Sequence, residues 1–143
     1  MSIQDLIDDF AFLDDWEERY RYVIELGRTL EPLSEAEHAP ANKVEGCVSQ
    51  VWLIAEPRKG ADGTLRLHFR GDSDAHIVRG LIAILMRLYS DRTPVEILAI
   101  DARAVFGKLG LDEHLTPQRS NGLYSMVGRI QADAKAHPVP AAS

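Results

Sequence analysis

A single cysteine, Cys47, stands in 143 residues, so no disulfide can form within the chain and nothing in its thiol content points to an oxidising compartment. Long apolar runs are missing too. The longest, residues 81–86, is far short of the roughly 20 residues that cross a bilayer. Residues 1–10 carry acids but no basic segment ahead of an apolar stretch, which disfavours a secretory signal and leaves the cytoplasm as the expected location. Positive charge is scarce: 16 Lys and Arg stand against 22 Asp and Glu, and the net charge of -6 repels phosphate backbones. No nucleic-acid or membrane partner is expected. His38, His68, His76, His114 and His137 have neither H-x-x-H nor cysteine-paired spacing, so no metal site is expected. No P-loop, dinucleotide fingerprint or internal repeat is present. Residues 107–110 form a short G-x-x-G, which a helix C-cap at Gly110 explains better than RNA binding.

What is present is enough for a globular core without staples. A chain of this length buries about 68–70% of the surface its unfolded form exposes. Ser2 can cap a helix on which Ile3, Leu6, Ile7 and Phe10 share one face. Asp14 and Glu17 resemble a capping box for a second helix presenting Trp16, Tyr20, Val23 and Ile24, with Pro32 beyond its end. Residues 31–46 read as a long loop with one helical turn after Ser34. Two β-patterned runs follow, 48–55 and 64–70, the second with Leu65, Leu67 and Phe69 alternating against Arg66, His68 and Arg70. Gly60 and Asp62-Gly63 between them make a hairpin. Asp72 or Ser73 is the expected cap of a buried central helix, in which Gly80 signals close backbone contact, since glycine there costs about 1 kcal/mol relative to alanine. Thr93-Pro94-Val95-Glu96 opens another helix, residues 101–109 continue or restart it, and Thr116-Pro117 opens the last. The expectation is an α+β fold, a small antiparallel β-sheet backed by helices, forming one domain over residues 1–137 with a short flexible tail at 138–143.

Cys47 lies where the polar loop meets the first strand, and two readings stand on the residues alone. A lone cysteine is commonly a small buried hydrophobe. Gly46, however, lets the backbone turn and a partner atom approach, while the apolar residues after Cys47 can wall a pocket around a shielded nucleophile. The reactive species is the thiolate, and an unperturbed pKa of about 8.5 leaves little of it at neutral pH. Activation therefore needs loop movement or a nearby cation. Arg119 is the candidate cation: it occupies the third position of the Thr116 helix, beside a positive helix end with no acid in its first turn, unless it is merely solvated or paired with Asp112 or Glu113. His38, nine residues before Cys47, is a weak candidate base, because cysteine hydrolases usually draw theirs from distant sequence. The paired acids Asp8-Asp9, Asp14-Asp15 and Glu17-Glu18 suit solvated helix faces.

Residues 40–53, Pro-Ala-Asn-Lys-Val-Glu-Gly-Cys-Val-Ser-Gln-Val-Trp-Leu, resemble the G-C-x-S-x-V-W segment of the SufE and CsdE sulfur acceptors. Residues 16–20 with 24–27, 71–83 and 115–123 extend the likeness in order along nearly the whole chain. The resemblance implies the SufE/IscU-type fold, no cofactor of the chain's own, and a homodimer. It implies a PLP-dependent cysteine desulfurase of the SufS or CsdA type as partner and an iron–sulfur scaffold complex as downstream acceptor. Cys47 would carry sulfur as a persulfide, stimulating the desulfurase without being a stand-alone enzyme, with Gly46, Ser49, Arg119 and Asp74 in support. Two other functions stay open: a non-catalytic regulator of the desulfurase, and an IscU-type cluster scaffold, which one cysteine equips poorly. Cys47 is expected to be quiet in the free chain and competent when loop 43–49 meets its partner.

Overall fold

Local rules set the helix starts. The computed structural model describes residues 2–47 and 49–137. Ser2 caps α1 (Ile3–Ala11) in a full capping box with Asp5. α2 (Trp16–Gly27) is capped by Asp15, one residue later than the sequence pattern indicates, because it is the Asp15 carboxylate that accepts from Glu18 N. In the loop that follows, Ser34 and Glu37 exchange hydrogen bonds around the expected turn. A 3₁₀ turn (Pro40–Asn42) comes next.

β1 (Val51–Lys59) and β2 (Leu65–Ser73) form an antiparallel ribbon in which Leu53 faces Gly71 and Ala55 faces Phe69. The ribbon starts and ends later than the sequence patterns suggest. Ser49 and Gln50 lie outside the ladder, which begins where Val51 meets Ser73, so backbone pairing rather than hydrophobicity decides its start. The expected strand start at Val48 and the expected flexible tail at 138–143 lie outside the described residues.

α3 (His76–Tyr89) packs its buried stripe on the ribbon's inner face. Its N-cap is Ala75, not Asp72 or Ser73; Ser73 Oγ accepts from Ala75 N, while both expected caps remain within β2. A Cβ on Gly71 would lie 2.9 Å from Ile82 Cγ2, so the missing side chain lets helix and sheet meet. A Cβ on Gly80 would sit 2.1 Å from Val23 O, and one on Gly27 2.8 Å from Gly80 N. These two glycines bring α2 and α3 into backbone contact, as the glycine in the helical pattern suggested.

α4 (Pro94–Ala99) begins in the Thr93/Glu96 capping box, and α5 (Ala102–Leu109) restarts from Asp101 and ends at Gly110, whose φ of 73° is left-handed. A short α6 (Leu111–His114) precedes α7 (Pro117–Ala136), capped by Thr116. Leu6, Val23, Leu53, Ile82, Phe106 and Ile130, from six different elements, belong to one continuous apolar cluster. The fold is α+β, with a two-stranded antiparallel sheet backed by helices.

Candidate functional site

The loop bearing Cys47 is pinned on both sides. Val44 N donates to Val51 O at 2.8 Å, and Lys43 bridges Trp52, which closes the base of the loop. Beyond Cys47, Gln50 N donates to Asp74 Oδ1 at 3.1 Å, while Asp74 N donates to Gln50 O. Gly46 turns the chain at φ 87°, a left-handed conformation, and a Cβ there would lie 2.6 Å from Ser125 Oγ.

Cys47 is half-buried, with its thiol donating a long hydrogen bond of 3.5 Å to Gly122 O on α7. Burial pushes the thiol pKa above its usual range, and no cation offsets that shift. The resting sulfur is therefore protonated and poorly nucleophilic at neutral pH. Beside it lies a pocket of about 220 Å³ with Val51, Val78, Leu81, Leu123 and Met126 as apolar walls and Thr116, Gln118 and Arg119 at its polar end. Ser49 also lines it, and no carboxylate stands among its described lining residues.

Arg119 reaches this pocket from the first turn of α7, where its backbone N donates to Thr116 Oγ1. Pairing with Asp112 or Glu113 does not occur among the described residues: the Asp112 carboxylate accepts from Tyr124 OH at 3.0 Å instead. Arg119 Nη1 is buried without a hydrogen-bond partner among the described residues, a costly state unless something occupies the pocket. The combination is a protonated thiol at an apolar recess with one unsatisfied cationic donor, chemistry that favours an anion once it forms there.

Chain resemblance now has a geometric counterpart, and comparison with known proteins decides it. The family model for SufE, described as the Fe-S metabolism associated domain, matches residues 4–134. This chain belongs to the SufE family. An uncharacterized SufE-like protein of Rhizobium etli is 55% identical over 94% of this SufE-family chain and 90% of its own length. A second, from Rhizobium meliloti strain 1021, is 54% identical over 94% and 95%. The solution structure of a hypothetical protein from Thermus thermophilus shares the fold, with a TM-score of 0.73 at 18% identity over 95% of this chain and 97% of that one. Membership ties this SufE-family chain to Fe–S metabolism.

The structure brings Cys47, Ser49 and Arg119 to one pocket, with Gly46 and Asp74 holding the loop that presents it. His38 is elsewhere, on the ribbon's outer face, bonded to Asp72 Oδ2 and Ser34 O at 2.8 Å each. Sequence reasoning missed Gly122, against which Cys47 Sγ packs 3.6 Å from the position of an added Cβ. The available signal was the same as at Gly80: a glycine inside a helical pattern. Two other clefts, of about 290 Å³ around His68 and about 340 Å³ around Arg103, contain no thiol. Among the described residues no group of three or more His, Cys, Asp or Glu side chains could hold a metal, and no helix is long and apolar enough to cross a membrane.

Proposed function

We propose that Cys47 accepts sulfur as a persulfide from a PLP-dependent cysteine desulfurase of the SufS or CsdA type and passes it to an iron–sulfur scaffold complex. The observation that carries this reading is the placement of the sole thiol at a recess whose one cation, Arg119, has a buried, unpartnered donor. In the transfer, the Cys47 thiol gives up its proton and the thiolate attacks the terminal sulfur of the donor's cysteine persulfide. A new S–S bond forms on Cys47, the donor's S–S bond breaks, and the donor cysteine leaves as a thiolate that takes up a proton. No net oxidation occurs. The chain supplies an acceptor rather than a complete catalytic cycle, so it acts as the desulfurase's partner, stimulating its turnover by removing product, and binds no PLP itself.

A persulfide ionises more readily than the thiol it replaces, and the product sulfur is an anion that the Arg119 guanidinium can stabilise. The apolar walls keep water and competing thiols away. A cytoplasmic homodimer is the form we assign to the working protein, with Gly46 and Asp74 setting the loop and Ser49 at the pocket's edge.

Intact-mass measurement after incubation with desulfurase and cysteine tests the reading. The native chain gains the mass of one sulfur atom and Cys47→Ser gains none; equal uptake by both would sink it. If Cys47→Ala stimulated the desulfurase as well as the native chain, regulation without sulfur transfer would replace this account. Arg119→Ala is expected to slow uptake by about ten-fold, the order of one charge-assisted hydrogen bond.

A further inference from the structure

The loop runs antiparallel along one face of α7, and three residues at helical spacing meet it in turn. Gly122 lies against Cys47, Ser125 against Gly46, and Arg129 against the stretch before them. Arg129 reaches two carbonyls at once: Nη1 donates to Lys43 O at 3.3 Å and Nη2 to Ala41 O at 3.2 Å. Its third nitrogen, Nε, donates to Asp133 Oδ1 at 3.4 Å one helical turn on. Asp133 is half-buried, and burial raises its pKa against the opposing pull of Arg129. The guanidinium is therefore fixed from behind by α7 and spends its other two groups on the loop.

The contacts of Arg129 fall just outside the segment that would have to move. Val44 N bonds Val51 O, so residues 41–44 form the loop's root, while Gly46 and Cys47 lie beyond it. We propose that Arg129 is a positioning residue for sulfur acceptance: it pins the root at Ala41 and Lys43 so that Cys47 swings about a fixed pivot. The proposal rests on the reading of Cys47 as the sulfur acceptor. A planar fork suits two carbonyls on one strand of backbone; an ammonium in its place keeps the charge but not both bonds.

Losing the pivot has opposite effects on two rates. Undirected access to the thiol rises, while directed transfer falls because the thiol reaches its donor in fewer productive orientations. The test measures iodoacetamide alkylation of Cys47 in the free chain, sulfur uptake at saturating desulfurase, and the thermal midpoint. The variants are Arg129→Gln, Arg129→Lys and, as a control for loss of an exposed guanidinium, Arg21→Gln. Arg129→Gln is expected to be alkylated about ten-fold faster, the order of one lost charge-assisted hydrogen bond, and to take up sulfur more slowly. Arg129→Lys falls between it and the native chain on both rates, and Arg21→Gln matches the native chain. Unchanged alkylation, or two rates rising together, overturns the proposal. If Arg129→Gln does not fold, the Lys variant decides by the same signs. If the native chain takes up no sulfur, the persulfide reading fails, and alkylation alone decides whether Arg129 holds the loop.

Discussion

The two faces of the β-ribbon are built from different forces. Its inner face presents Leu53, Leu67 and Phe69 to α3, all buried and all apolar, with Gly71 absent a side chain so that Ile82 can close in. Its outer face holds the loop that leads to Cys47 by charge and hydrogen bonding. Arg70 pairs with both Glu37 and Glu56, and His38 bonds Asp72 and stands edge-on to Trp52 at 4.7 Å. Close packing is unforgiving and indifferent to pH, whereas these partly buried pairs hold only while both partners keep their charges. The contrast sets a close-packed scaffold behind a thiol whose mount depends on charge and hydrogen bonding.

Breaking the inner face has the largest expected effect. Phe69→Ala removes a fully enclosed ring and is expected to cost about 3–5 kcal/mol, read by urea denaturation. A loss under about 1 kcal/mol would mean that the core relaxes around the gap and that the two faces differ less than proposed.

The outer face is sharpened by pH. The hydrogen bond from Arg70 is the main cause that holds the Glu37 carboxyl at about 2, and its bond to Asp72 is the main cause that raises the His38 imidazole. The contribution of Glu37 is complete above its ordinary value of 4.5 and disappears as pH falls through about 2. That of His38 is complete below its ordinary value of 6.5 and disappears as pH rises through its higher folded value. The attachment of the loop is thus strongest between 4.5 and 6.5. Arg70→Gln is expected to destabilise the chain most above pH 4.5, with the deficit shrinking as pH falls through about 2 to what the bond to Pro32 O contributes. A deficit of constant size across that range would show that Arg70 acts by packing rather than charge.

The smallest effect is expected at Gly128, on the exposed side of α7, where an added Cβ meets nothing within 4 Å. Gly128→Ala should stabilise the chain by about 0.5–1 kcal/mol through helix propensity alone, leaving Cys47 alkylation unchanged. Faster alkylation would mean that the α7 backbone itself sets access to the thiol.

The same contrast explains what was legible in the sequence. Helix starts marked by short-range chemistry, such as Thr93-Pro94-Val95-Glu96 and Thr116-Pro117, appear where the residues put them. So does the close approach at Gly80, because a glycine amid a helical apolar stripe has few other uses. Boundaries set by long-range pairing were less readable: β1 begins at Val51 because Ser73 lies opposite it, a fact no local pattern carries. The outer-face network was invisible for the same reason. Glu37 and Arg70 are 33 residues apart, and nothing in the spacing of either announces the other. Cys47 and Arg119 could be singled out by residue type and position, but the cavity they share depends on α7 lying alongside the loop.

The most direct test of a conditional thiol is the iodoacetamide alkylation rate of Cys47, free and with desulfurase present but cysteine omitted, against a small reference thiol at the same pH. Cys47 in the free chain is predicted to react more slowly than the reference, as its raised pKa requires, and desulfurase is predicted to raise that rate. Alkylation of the free chain as fast as the reference thiol would contradict a thiol that is quiet until its partner arrives.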